Sequence, residues 1–128
     1  MRDSKDSTLR VGLIALASFP LTSGVEFKIR PVVLLASEDW ASLDALVLVA
    51  SVTSSDARIH DPELVVLRDW AQLGLNQPSG VQTHRLFTTQ GRFIHNELGA
   101  IAGADLIAIQ ERVLRFVSGD EQGDRSAN

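Results

Sequence analysis

A charged loop that runs directly into an apolar strand is the most distinctive chemical feature of this 128-residue chain. Glu26, Lys28 and Arg30 alternate with apolar residues, and Pro31 then begins the run PVVLLA. The guanidinium group of arginine stays protonated and can bind two phosphate oxygens at once. Two interpretations therefore fit Arg30: a phosphate-binding residue at a rigid edge, or a surface cation paired with Glu26 four residues earlier.

Hydroxyl side chains gather where a second apolar run ends. The run ALVLVAS covers residues 45–51, and Thr53, Ser54 and Ser55 follow it closely. Their hydroxyl groups can donate hydrogen bonds to phosphate oxygens. Threonine and serine are also ordinary turn residues at strand ends, so the sequence alone leaves a phosphate-binding role and a turn-forming role both open.

A histidine lies in a third segment, residues 81–87, whose side chains partly alternate between apolar and polar. Strand alternation places its residues on two faces: Gln82, His84 and Leu86 on one, and Val81, Thr83, Arg85 and Phe87 on the other. An imidazole can accept or donate a proton near neutral pH, and an amide on the same face could orient a substrate. A structural histidine is the other interpretation of His84.

The elements that must position these groups are short β-type runs separated by turn residues, a pattern typical of a compact antiparallel barrel or sandwich. Residues 31–36 and 45–51 are near-continuous apolar runs, as expected for buried strands. A helical turn is predicted over 68–73, ended by Gly74. The predicted strands are 11–19, 31–36, 45–51, 63–67, 81–87 and 93–98.

One helix is predicted near the carboxyl terminus, over residues 103–117. Its apolar stripe follows helical spacing, with Ile107, Leu114 and Val117 beside it. The stripe consists of Leu106, Ile109, Val113 and Phe116. A helix with such a stripe must cover apolar surface, either on the barrel or on a partner.

Composition excludes several classes of protein. The 12 basic and 16 acidic residues give a net charge of −4, which argues against a domain that coats nucleic acid through bulk charge. Cysteine is absent, there is no Gly-rich phosphate-binding motif, and the three histidines are too widely spaced to predict a metal site. We expect one cytoplasmic domain over 11–117, with a flexible segment 1–10, a disordered acidic tail 118–128 and no membrane span.

The order of these segments resembles the MazF/PemK family of toxin ribonucleases. FPLTSGVEFKIRPVVLL, from Phe19 to Leu35, resembles the strand, flexible loop and Arg-Pro pair of that family. ASVTSS, QPSGVQTHRL and ELGAIAGADLIAIQERVLRFV then follow in the family's order. The resemblance implies a mainly β, small Src-homology-3-like barrel that forms a homodimer. It further implies cleavage of single-stranded RNA without metal or other cofactor, and neutralisation by an antitoxin protein.

The same resemblance implies roles for particular residues. Arg30 and Thr53 would stabilise negative charge on the phosphate, and Glu26 would move the proton. The chemistry of its imidazole group makes His84 the other candidate for moving the proton. The expected RNA-binding residues are Lys28, Ser54, Ser55, Gln82 and Arg85. The sequence departs from the family pattern at two places: Leu13 follows Gly12 where an acidic residue is common, and Gln82 and His84 replace an Arg-x-Asp pair.

Three hypotheses of function follow. The first is a sequence-selective endoribonuclease toxin of a type II toxin–antitoxin system. The second is a non-catalytic binding module on the same fold, either directed at gyrase or degenerate and able to bind only an antitoxin. The third is a structural β-barrel domain whose carboxyl-terminal helix forms an oligomer interface. The ordered series of motifs favours the first.

Overall fold

The described part of the chain forms an antiparallel β-sheet and one helix. A computed structural model describes residues 9–20, 27–54 and 64–119. A short 3-10 turn, Gly91–Phe93, joins the last two strands. The elements are β1 (Leu13–Pro20), β2 (Phe27–Ser37), β3 (Leu46–Thr53), β4 (Leu64–Leu67), β5 (Ser79–Gln90), β6 (Ile94–Ala100) and α1 (Gly103–Ser118).

The six described strands lie in the order β4-β5-β3-β2-β1-β6, and each neighbouring pair is antiparallel. The mainly β, antiparallel class predicted from the sequence is therefore confirmed. The two apolar runs predicted as buried strands are β2 and β3, which occupy the centre of the sheet. Central strands are covered on both faces, and this explains why their sequences are apolar at nearly every position.

Alternation along the strands builds two hydrophobic cores, one on each face of the sheet. The helix-side core contains Ile14, Val33, Ala50, Val52, Val65, Leu67, Val81, Ile101, Ile109 and Val113. The far-side core contains Leu9, Leu13, Ala15, Ala17, Val32, Leu34, Val47 and Val49. Neighbouring residues such as Val32 and Val33 contribute to different cores because successive side chains point to opposite faces.

The two ends of the sheet are brought together by the turn that follows β4. Hydrogen bonds from the Gln72 and Leu73 amides to the Asp69 carbonyl form one helical turn, and Gly74 ends it at φ 82°. This turn lies directly against β6, since a Cβ atom added at Gly74 would lie 2.6 Å from the Leu98 carbonyl oxygen. We call the contact of residues 73–74 with 98–99 the seam, because it closes the sheet into a barrel.

Helix α1 covers the helix-side core through Ile109 and Val113, as its predicted stripe requires. Leu106 packs against the same core while partly exposed. Phe116, the last residue of the predicted stripe, is 52% exposed and is not part of the helix-side core. All side chains from 114 to 118 are exposed, so the last turn of the helix projects beyond the sheet surface that covers Ile109 and Val113.

Ordered packing begins before the predicted domain boundary at residue 11. Leu9 is buried in the far-side core, and Arg10 forms an ion pair with Glu97 at 3.5 Å. The predictions for residues 1–8 and 120–128 lie outside the described residues. Within the residues that the structure describes, no helix has the length and apolar character needed to cross a lipid bilayer.

Candidate active site

A cleft of about 520 Å³ opens at the end of the barrel where β2 begins, β3 ends and β5 begins. Its apolar lining residues, which we call the floor, are Leu16, Pro31, Val52, Leu75 and Leu98. The polar lining residues are Arg30, Thr53, Ser54, Asn76, Gln77 and Ser79. A concave apolar site with a few convergent polar groups is the usual form of a ligand-binding pocket.

Strand register places Arg30 beside Thr53. In the antiparallel pairing of β2 with β3, Val32 lies opposite Ser51, and continuing that register by two residues brings Arg30 opposite Thr53. Both residues line the cleft. Neighbouring strands lie about 4.8 Å apart, so one phosphate group is within reach of both side chains. The structure thus brings together two residues that are 23 positions apart in the sequence.

Arg30 is half-buried at the first part of β2, and its Nε atom is buried. Within the described part of the chain this Nε has no hydrogen-bond partner. A buried donor without a partner is uncommon and costs about 1–3 kcal/mol, which a bound acceptor would recover. Among the described residues that line the cleft, Arg30 carries the only formal charge. The site therefore favours an anion.

Five of the lining residues come from one segment, residues 74–79. Ser79 is buried, and its hydroxyl group donates a hydrogen bond to the Gln77 carbonyl at 2.8 Å. The Leu75 amide donates to the Trp70 carbonyl at 3.1 Å, and Gly74 lies at the seam. The side chains of Asn76 and Gln77 are exposed on this fixed backbone. The sequence analysis did not select these two residues.

The other residues predicted near Arg30 fall into two groups. Lys28 is exposed on β2, two positions before Arg30, and alternation places it on the same face. Ser54 lines the cleft next to Thr53. Glu26 and Ser55 lie outside the described residues.

The predicted faces of β5 are wrong, because the strand contains a bulge. Ser51 pairs with Gln82 while the preceding Ala50 pairs with Leu86, so residues 83–85 are extra on β5. Such an insertion interrupts strict alternation. Val81 and Leu86, predicted on opposite faces, both pack in or against the helix-side core.

None of the site residues predicted on β5 lines the cleft. Gln82 is only 3% exposed, opposite Ser51 and Leu64, and it does not line the cleft. His84 is half-buried within the bulge, and its Nδ1 atom has no hydrogen-bond partner among the described residues. Arg85 is exposed. Neither His84 nor Arg85 lines the cleft.

In residues 9–20, 27–54 and 64–119, no three acidic or histidine side chains lie close enough together to hold a metal ion.

Residues 10–117 match the family described as PemK-like, MazF-like toxin of type II toxin-antitoxin system. The chain belongs to the PemK/MazF family of toxins. The matched range includes all six strands of the described barrel and all of α1 except its last residue. It also includes every residue that lines the cleft.

Solved structures of this fold include several PemK/MazF toxins. The Mycobacterium tuberculosis toxin MazF-mt6 is 25% identical, with a TM-score of 0.64 over 83% of this chain and 96% of that chain. MazE-MazF from Deinococcus radiodurans is 18% identical, with a TM-score of 0.66 over 87% and 97%. An endoribonuclease in complex with its cognate antitoxin, from Mycobacterial species, is 14% identical, with a TM-score of 0.66 over 86% and 95%. The last two show the fold alone.

Comparison with curated protein sequences gave no significant match. Membership of the PemK/MazF family therefore rests on the family match, and the solved toxins support the barrel architecture.

Proposed function

We propose that this chain is the toxin of a type II toxin–antitoxin system and cleaves single-stranded RNA in the cytoplasm. The observation that carries the proposal is the cleft, whose lining includes Arg30 with its guanidinium group and Thr53 and Ser54 with their hydroxyl groups. These groups are hydrogen-bond donors suited to phosphate oxygens. Family membership supplies the class of activity, because the mycobacterial relatives are named endoribonucleases.

The proposed reaction uses the ribose 2′-hydroxyl group of the RNA as the nucleophile and needs no metal ion. The 2′-oxygen attacks the adjacent phosphorus while a base removes its proton. The bond from phosphorus to the 5′-oxygen of the next nucleotide then breaks, and that oxygen receives a proton. The products are a 2′,3′-cyclic phosphate and a free 5′-hydroxyl end. Arg30 and Thr53 stabilise the charge that develops on the phosphate oxygens.

Two candidates remain for the proton acceptor. Glu26 lies four residues before Arg30 in the sequence, and β2 begins at the next residue, Phe27. His84 is on the bulge of β5 and does not line the cleft. Contact with the substrate is the first requirement of a general base. We therefore assign the role of proton acceptor to Glu26 in preference to His84.

Lys28 and Ser54 extend the proposed RNA-binding surface on either side of the scissile phosphate, since one is exposed beside Arg30 and the other follows Thr53 in the cleft. Ser55, which comes next in the chain, would continue it. Gln82 and Arg85 have weaker support. Gln82 is buried, and exposed Arg85 could contact RNA only outside the cleft.

The proposed protein partners are a cognate antitoxin and a second copy of this chain. Relatives from Deinococcus radiodurans and Mycobacterial species were solved as MazE-MazF and as an endoribonuclease with its cognate antitoxin. By analogy, an antitoxin would neutralise this chain. The homodimer is the arrangement that the family resemblance implies.

The direct test is RNA cleavage by the antitoxin-free protein in excess chelator. A long single-stranded RNA would be incubated with wild-type protein, Arg30→Ala and Arg30→Lys, and the cleaved ends would be mapped. We expect discrete cuts that leave cyclic phosphates, and a loss of about 10²–10³-fold in rate for Arg30→Ala. Lysine keeps the charge but lacks the bidentate donor geometry, so Arg30→Lys should recover only part of the rate.

Arg92→Ala is the matched control, because Arg92 is an exposed arginine in the turn after β5 that pairs with Asp44 and does not line the cleft. Its cleavage rate should equal that of the wild type. Equal rates for Arg30→Ala and wild type would refute the mechanism. A folded wild-type protein that binds antitoxin and cuts no RNA would replace it with the non-catalytic binding module.

A further inference from the structure

The polar lining residues of the cleft form two groups that differ in chemistry. We call Arg30, Thr53 and Ser54, with a cationic group and hydroxyl donors, the phosphate-binding wall. We call Asn76 and Gln77, with two uncharged amide side chains, the amide wall. A phosphate needs only donors, whereas an amide offers a donor and an acceptor together. The amide wall is therefore suited to a ligand group that also presents both.

The floor supplies an apolar surface to the same cleft. Leu16, Leu75 and Leu98 are among the residues that form it. A flat nucleobase that is not stacked on its neighbours can rest on such a surface while its polar edge faces the rim. The cleft volume of about 520 Å³ lies within the range of small-molecule sites. These dimensions and polarities fit one nucleotide of a single strand, with its phosphate at Arg30.

The amide wall is also close to the phosphate-binding wall. Thr53 pairs with Gly80 across β3 and β5, and Gln77 is three residues before Gly80 in the chain. Ser79, between them, is buried and holds the Gln77 carbonyl at 2.8 Å. The backbone that carries Asn76 and Gln77 is thus anchored at one end by Ser79 and at the other by the seam at Gly74.

We infer that Asn76 and Gln77 determine the RNA sequence that this chain recognises, by hydrogen bonding to the edge of a base that lies on the apolar floor of the cleft. The inference rests on the proposed ribonuclease function and adds the residues that choose where RNA is cut. Asparagine and glutamine amides form paired hydrogen bonds with base edges that carry a donor beside an acceptor. Ser79 is a positioning residue that acts through the Gln77 backbone.

The test compares preference among bases instead of total activity. Cut sites of the wild-type protein on a long RNA would define the preferred sequence, and oligonucleotides with one base changed at a time would give kcat/KM ratios. We expect Gln77→Ala or Asn76→Ala to lower the ratio of preferred to altered base at one position by about 5–150-fold. The rate on the altered base should stay within about twofold.

Gln72→Ala is the matched control, since Gln72 is an exposed glutamine on the preceding turn and does not line the cleft. Its preference should equal that of the wild type. Because the side chains of Asn76 and Gln77 are exposed, all three variants should keep the wild-type melting temperature. Unchanged ratios in both cleft variants, with cleavage still dependent on Arg30, would overturn the inference and leave the ribonuclease function intact.

If no cleavage occurs, a binding measurement still tests base recognition separately from the proposed ribonuclease function. Binding of short 2′-O-methyl oligonucleotides, which lack the nucleophile, would be followed by fluorescence anisotropy for the same variants. Base-selective binding that is lost in Gln77→Ala would support the inference even if the ribonuclease proposal fails. Absence of selective binding in the wild-type protein would overturn the inference.

Discussion

Arg30 lines the cleft and has a buried donor, its Nε atom. Its Nε atom is buried without a partner in the described part of the chain, and no carboxylate is among the described residues that line the cleft. Leaving such a donor unpaired is unfavourable by about 1–3 kcal/mol. A phosphate that accepts from Arg30 removes this penalty, and this adds to the charge-assisted hydrogen bond itself.

The proton acceptor can be identified by exchanging carboxylate and imidazole for amides. We predict that Glu26→Gln lowers kcat by about 10²–10⁴-fold, since an uncharged amide cannot accept the 2′-hydroxyl proton. His84→Gln should cleave at close to the wild-type rate, because His84 does not line the cleft. Single-turnover rates for both variants across a range of pH would check this. A severe loss in His84→Gln, with Glu26→Gln active, would reverse the assignment.

At the scale of single residues, the sequence could predict the proposed phosphate-binding residues, because they stand at the ends of apolar strands. Arg30 stands at the start of an apolar strand and Thr53 at the end of another, so spacing and strand patterns indicated both. Asn76 and Gln77 carried no such signal. They sit on a polar turn beside Pro78, and they become part of a site only because the seam brings that turn against β6.

Elements whose apolar residues recur with a regular period could be predicted from the sequence, and irregular elements could not. Strands β1 to β6 and helix α1 overlap the predicted segments, because alternation and helical spacing both reflect burial. The three-residue bulge of β5 has no sequence period, so the prediction that Val81 and Leu86 lie on opposite faces was wrong. Phe116 fits the helical spacing but lies where the sheet no longer covers α1.

The seam can be tested by adding one methyl group. Gly74 and Gly103 both have a positive φ, 82° and 65° respectively. A Cβ atom added at Gly74 would lie 2.6 Å from the Leu98 carbonyl oxygen, whereas a Cβ atom added at Gly103 would have no atom within 4 Å. Both alanine substitutions should lower the free energy of unfolding by about 1–2 kcal/mol, because alanine is strained in the left-handed backbone conformation. Gly74→Ala should lower the free energy of unfolding by about 1–3 kcal/mol more, because the added methyl group is overpacked against Leu98. Urea unfolding of the two variants measures the difference, and equal losses would disprove the close contact.

Helix α1 offers a matched pair of isoleucines for testing its packing. Ile109 is fully buried in the helix-side core, whereas Ile107 is 56% exposed. We expect Ile109→Ala to reduce the free energy of unfolding by about 2–5 kcal/mol. Ile107→Ala should change it by about 0.5 kcal/mol or less. Denaturant unfolding of the isolated chain checks both, and similar losses would mean that the helix packs through a different face.

At the scale of the whole molecule, the net charge of −4 limits how RNA can be held. The cleft has Arg30 as the one formal charge among its described lining residues, with Lys28 exposed nearby. Each neutralised phosphate of a single strand contributes about −0.7 to the slope of log affinity against log salt. Recognition must therefore depend on hydrogen bonds and apolar contact more than on bulk charge.

Because few cationic groups contact the RNA, we predict that its binding affinity depends only weakly on salt concentration. The RNA for this test is long enough to be a substrate and carries a 2′-O-methyl group at the cut site. The slope of its log affinity against log salt should be about −0.7 to −1.4, as expected for one or two neutralised phosphates. Arg30→Ala should make the slope shallower by about 0.7. Titrations between low and moderate salt would measure it. A slope steeper than about −4 would show that RNA contacts many cations outside the cleft.

The seam has a consequence for how recognition could be redesigned. The turn that closes the barrel continues directly into Asn76 and Gln77, whose side chains are exposed, while Gly74 and Ser79 hold the backbone on either side. Stability and recognition are thus assigned to different positions of one short segment. A combinatorial library that varies only residues 76 and 77, with Gly74 and Ser79 fixed, should yield folded proteins with altered RNA targets. The same separation would let natural variants acquire new targets by one or two substitutions.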